Sequence, residues 1–153
     1  MKKKQKKIKT PKQLTKFWFV QGWGPLKVDT LVVIGYKHGE IIKICKEKVK
    51  ADKFFVDFLE GLNDKKHEEE RNQAESGSGY FLHHKETGAS ILWLPVWRGE
   101  WRDYETLIHE LNHGVYFISR GRGMSEEFEF QAYQQEYLFR EIRRKLDKEL
   151  FPK

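Results

Sequence analysis

From Tyr104 to Arg120 the chain reads YETLIHELNHGVYFISR, with Leu107, Ile108, Leu111, Val115 and Ile118 recurring at helical spacing. No other stretch constrains the fold as strongly. A helix apolar round so much of its circumference belongs at the centre of a small core. Asp103, in Trp101-Arg102-Asp103, is suited to cap its start, and Gly121-Arg122-Gly123 to end it. On this helix His109 and His113 lie four residues apart and share a face, with Glu110 beside them. A hydrolytic zinc ion requires such a set: neutral nitrogens on one rigid backbone, an open position for water, and a base near that water. The bland alternative is a chance match, expected in roughly a few per cent of chains of this make-up, with the three side chains satisfied inside a core. Gly114 costs about 1 kcal/mol of helix propensity relative to Ala: either something packs closely beside the second histidine or the glycine is incidental.

The next stretch, SEEFEFQAYQQEYLFREIRRKLDKELF, has no breaker until Pro152. It reads as a second long helix, capped by Ser125, with Glu126 and Glu127 in its first turn. So short a connection predicts an antiparallel pair. At about 1.5 Å per residue, His113 lies roughly 10 Å from the end of the first helix, and Glu129 roughly 6 Å into the second comes near its level. Tyr133 is level with His113, and Glu136 is level with His109 on the face that carries Glu129. Both glutamates therefore stand as candidates for a third metal ligand.

HELNH followed by a glutamate on the next helix resembles the gluzincin group of zinc peptidases. The fuller pattern, HELNH, a glycine-containing turn, then Glu129-x-x-Ala132-Tyr133-x-x-x-Tyr137-Leu138, is similar to small metallopeptidase-like proteins common in phage genomes. The resemblance implies zinc held by His109, His113 and Glu129, with Glu110 as catalytic base. It also implies that Ser90-Ile91-Leu92-Trp93-Leu94-Pro95 is the strand lining a substrate cleft, with Leu92, Trp93 and Leu94 against an extended peptide. Larger gluzincins carry an Asp four residues after the ligand glutamate; Tyr133 stands there instead. Tyr133 or Tyr137, on the face of Glu129, is placed to donate to a developing oxyanion.

A length of 153 residues suits one domain with a modest core. Its 39% hydrophobic and 34% charged residues describe a charged exterior over an apolar interior. The net charge of +6 is carried by one end. Seven lysines lie within residues 1–12, and without them 22 basic residues face 23 acidic ones, a net of −1. That segment reads as a disordered arm able to touch nucleic acid without sequence preference. The apolar run after it, Phe17 to Val20, is too short for a signal peptide, and no stretch is long enough to cross a membrane. A single cysteine, Cys45, excludes an intrachain disulfide and points to a reducing compartment, the cytoplasm (of the host, if the chain is phage-encoded).

Phe17 to Lys46 reads as sheet, interrupted by a loop over Gln21 to Pro25. Leu31–Ile34 and Ile41–Ile44 flank a hairpin turn at Lys37–Glu40, with His38 solvated there and Cys45 buried in a strand. Ala51 to Leu62 reads as an amphipathic helix with a Phe stripe. Asn63 to Gly79, almost free of apolar residues, reads as a flexible loop. Tyr80–His84 and Ala89–Leu94 form a second hairpin. Trp97, Arg98 and Trp101 form a connection over the cleft entrance.

These readings converge on an α+β fold. A small antiparallel or mixed sheet packs on a central HELNH helix and a long antiparallel C-terminal helix, as a minimal zincin-like domain over residues 13–153. The expected function is zinc-dependent hydrolysis of a peptide or protein substrate. The alternative is a non-catalytic zinc-stabilised protein whose lysine arm engages nucleic acid or another anionic partner.

Overall fold

The computed structural model describes residues 13–21, 29–73, 76, 79–124 and 126–150. The lysine arm, the loop after Gln21 and the Ser125 cap lie outside them. The fold is α+β, as expected, with a four-stranded mixed sheet at its centre. Strands β1 (Lys16–Gln21) and β2 (Asp29–Ile34) pair antiparallel. β2 runs parallel to β4 (Ser90–Leu94), and β4 pairs antiparallel with β3 (Tyr80–His83). The order across the sheet is β1-β2-β4-β3, so β3 is an outer strand. The hairpin between β3 and β4 closes at the expected turn, where the Gly88 amide donates to the His84 carbonyl at 2.8 Å.

β2 from Leu31 to Ile34 and β4 from Ile91 to Leu94 are continuously apolar because both faces of the sheet are covered. Val32, Ile34, Leu92 and Leu94 point to one side. They pack there against Leu107, Leu111 and Val115 of α4 (Trp101–Gly121), and Leu138, Ile142 and Leu146 of α5 (Phe128–Leu150). Leu31, Val33, Ile91 and Trp93 point to the other side. Their partners are Ile41 of α1 (His38–Lys43), Cys45, and Phe55 and Leu59 of α2 (Lys53–Gly61). Three layers result, with α4 and α5 on one face and the shorter helices on the other.

The second layer differs from the sequence reading. Lys37–Glu40 is a helix start, not a hairpin turn: the Lys37 amide donates to the Glu40 carboxylate at 2.8 Å. The expected strand Ile41–Ile44 completes α1 and enters a π-helical turn over Ile44–Lys48. Ile41, Ile44 and Cys45 are spaced three and four apart, and that period wins over the β-branched propensity of the isoleucines because it turns all three onto the sheet. Cys45 is buried as expected, but in this turn, and burial pushes its thiol up to about 11. His38 is interior as well, its Nε2 against the Leu59 carbonyl and its ring tilted on Trp93. α2 appears where expected, capped by the Asp52 carboxylate on the Phe54 amide at 2.9 Å. The stretch expected as a flexible loop contains a 3-10 turn at Lys65–His67 and a short helix α3 (Glu68–Gln73), built from the helix-favouring run EEERNQ.

α4 begins earlier than Asp103. Trp101 is its first residue, and Asp103 caps from within the first turn, accepting from the Arg98 amide at 2.6 Å and the Glu100 amide at 3.0 Å. Glu126 and Glu127 precede α5, which starts at Phe128. No helix among the described residues is long and apolar enough to cross a membrane.

Candidate metal and hydrolytic site

The face of α4 opposite the core carries a row one turn apart: Arg102 and Glu105, then His109, His113 and Phe117. The imidazoles of His109 and His113 meet edge to face, with ring centroids 4.6 Å apart and Nε2 atoms 3.1 Å apart. Two nitrogens each about 2.0–2.1 Å from one tetrahedral zinc are roughly 3.3 Å apart, so the pair fits a shared cation with little adjustment. Phe117 stacks against His113 at 6.4 Å and walls the far end.

Glu110 lies at the edge of this row, turned towards the outer strand β3. It is only 7% exposed. Burial pushes its carboxyl up to about 7, opposed by a hydrogen bond with the Phe81 backbone. β3 comes this close because of two glycines. A Cβ on Gly114 would meet ring carbons of Phe81 at 2.4–2.5 Å, so the Phe81 ring lies flat on the helix backbone there. The close neighbour expected from Gly114 is this ring. Gly79 (φ +70°) passes over Glu110 at a distance where a Cβ would be 2.8 Å from its Cγ.

Around these groups is a cleft of about 690 Å³ lined by Gly79, Tyr80, Phe81, Arg102, Glu105, Thr106, His109, Glu110, His113 and Phe117. A second hollow of about 600 Å³ shares Tyr80, Phe81 and Phe117 with it and continues to Phe54, Phe58, His83, Lys85 and Arg120. His83 is the member of the His83-His84 pair that faces this hollow. Burial holds its imidazole below the usual histidine range, and its Nδ1 contacts Ser90 Oγ at 2.9 Å. His84 turns away, stacked on Phe54 at 4.4 Å with its Nδ1 3.3 Å from Asp52.

The structure brings His109, Glu110 and His113 together and leaves the other expected site residues elsewhere. Glu129 and Glu136 are exposed on α5, and among the described residues no third His, Cys, Asp or Glu joins the two imidazoles in a metal-binding group. The expected level was close: Gln135 Nε2 donates to the Ile108 carbonyl at 3.4 Å, so Glu129 lies near Gly114 along the axis. The azimuth differs. α5 packs on the side of Tyr104 and Ile108, and successive helix residues are about 100° apart, so His109 points round the helix away from it. Tyr133, 60% exposed, and Tyr137, whose ring lies 5.6 Å from the Arg140 guanidinium, are likewise outside the cleft.

Leu92, Trp93 and Leu94 do not line the cleft either. β4 is paired on both sides and all three are buried, with Trp93 Nε1 donating to the Tyr36 carbonyl at 2.8 Å. The strand that borders the cleft is β3. Trp97 is a core residue packed edge-on against Tyr104 at 5.1 Å, not a cover over the entrance, and Trp101 is exposed at the start of α4. The residues missed were Arg102, Glu105, Thr106 and Phe117. Their spacing of three, four or seven from the histidines was the available signal.

No protein-family model matches this chain, and neither does any curated protein or solved structure.

Proposed function

We propose that this protein is a zinc-dependent hydrolase acting on peptide bonds, centred on His109, Glu110 and His113. The observation that carries the reading is the 3.1 Å separation of the two imidazole Nε2 atoms, in an open cleft with a buried carboxyl one residue away. The donor set suits zinc, two imidazoles being half of a tetrahedral site. When bound, zinc supplies a Lewis acid and a water acidified to about pKa 7. The chain's own residues do the rest. Glu110, anchored by the Phe81 backbone, takes the proton of the attacking water and returns it to the leaving amine. Arg102, about two turns N-terminal to His109 in the same row, offers its guanidinium to a carbonyl oxygen gathering charge. β3, with no strand partner on its outer side among the described residues, binds an extended peptide by strand addition. The hollow walled by Phe54, Phe58 and Phe117 takes a large apolar side chain from that peptide.

The test is hydrolysis of an unstructured protein such as casein by the zinc-loaded chain. The account expects cleavage that a chelator stops, and a loss of about 10²–10⁴-fold in Glu110→Gln at unchanged zinc content. Full activity in Glu110→Gln, or activity indifferent to chelation, contradicts it. The remaining protein ligand is read from zinc affinity in Glu105→Ala, Glu129→Ala and Glu136→Ala. Glu105 is the carboxylate already in the cleft besides Glu110, where it accepts from Trp101 Nε1 at 2.9 Å.

A further inference from the structure

A second concavity, of about 1330 Å³, lies on the other flank of α4, where α5 crosses it. Trp101, Tyr104 and Ile108 of α4 line it together with Phe139, Arg140, Arg143, Arg144 and Lys148 of α5, with Asp147 the one acid in the lining. We propose that this groove binds single-stranded nucleic acid, independently of the hydrolytic site.

The charge pattern is the first argument. Arg140, Arg144 and Lys148 are spaced four residues apart, a row of cations about 6 Å from one to the next, comparable to successive phosphates along an extended strand. Arg143 is engaged by Asp147 at 3.5 Å and Arg144 by Glu141 at 2.8 Å. Among the described residues, Arg140 and Lys148 form no salt bridge, so the groove keeps uncompensated positive charge. An anion fits here and an acidic surface is what the groove lacks.

Aromatic surface selects the kind of anion. Trp101 is 74% exposed, with Nε1 tied to Glu105 and its ring open to solvent. Tyr104 is fixed edge-on against Trp97, and Phe139 is half-buried beside the cations. Flat rings next to a cationic row are the platform on which unpaired bases stack while phosphates lie on the row. In a duplex the bases are stacked on each other and have no face to offer. A carboxylate-rich peptide would use the cations and leave the indole idle.

The position of the chain's beginning is a separate observation. The described chain starts at Gln13, whose side chain donates to the Gly35 and Pro95 carbonyls, and Lys16 pairs with Glu149 at 3.1 Å. β1 therefore begins beside the end of α5 that carries Lys148.

The test is fluorescence polarisation with a labelled twenty-nucleotide oligothymidylate and the full chain at several salt concentrations. Trp101→Ala is expected to weaken binding about five- to hundred-fold with the salt slope kept. Arg140→Gln/Lys148→Gln is expected to flatten the slope of log K against log salt by about 1.4, at about 0.7 per phosphate neutralised. All three residues are exposed, and an unchanged thermal midpoint verifies that the variants fold. Binding by both variants as tight as wild type, with the lysine-rich start alone holding the strand, overturns the proposal. So does equal binding of a duplex of the same length, or equal competition by a poly-glutamate of matched charge.

Discussion

At the scale of single residues, Glu110 is the group whose environment is most at odds with its charge. Burial holds its carboxyl near 7 in the folded chain, against about 4.5 when exposed. A raised acid pKa means that the protonated form is favoured by folding. Its contribution is complete below about pH 4.5 and disappears as pH rises through 7. Metal-free protein is therefore expected to lose about 2 kcal/mol between pH 5 and pH 8 from this group, discounted for the side of the carboxyl that faces the cleft. In Glu110→Gln that part of the pH dependence is absent. Urea unfolding at the two pH values checks it, and equal slopes in both proteins contradict it. His38 is buried too, and holds α1 to α2 through the Leu59 carbonyl. His38→Ala, which leaves that carbonyl unpaired in the core, is expected to cost about 1–3 kcal/mol in the same assay.

At the scale of elements, the site depends on how closely β3 lies on α4. Gly114→Ala forces a Cβ into the Phe81 ring, which must move together with the strand whose backbone bonds Glu110. The expected cost is about 1–3 kcal/mol. Phe81→Leu in the same chain is expected to recover part of it, as a double-mutant cycle would show. If Gly114→Ala unfolds at the wild-type midpoint, the close contact is not what fixes the strand. This contact was legible in the sequence because a glycine inside an otherwise apolar helix needs a neighbour to explain it. The helix pair, the β3–β4 hairpin and the sharing of one face by His109 and His113 were legible for the same reason: each follows from local period. What local period leaves open is which element covers which side. Axial rise put Glu129 near the right level and gave no azimuth. Leu92–Leu94 read as a cleft edge because strand order is a property of the whole sheet. Ile41–Ile44 read as a strand because three isoleucines around Lys43 fit either period, and burial against β2 and β4 chose the helical one.

At the scale of the whole molecule, the cleft is built from α4 and β3, and Tyr80 and the hollow beside Phe58 join it to the second core under α1 and α2. A cation bound by His109 and His113 stabilises only the folded chain, since the unfolded one does not hold the two nitrogens 3.1 Å apart. At a hundredfold excess over its dissociation constant zinc contributes about 2.7 kcal/mol, or roughly 5–10 °C in thermal midpoint for a domain of this size. A scanning fluorimetry series is expected to display that rise in wild type and Glu110→Gln and to lose it in His113→Ala.

Zinc X-ray absorption at the metal's K-edge tests the central claim most directly, because it reads the shell of the bound ion itself. Two imidazole nitrogens at about 2.0–2.1 Å and no sulfur are predicted for the wild-type chain, with the signal lost in His109→Ala/His113→Ala. A shell with fewer than two imidazoles, or one that survives unchanged in that double variant, would contradict the account.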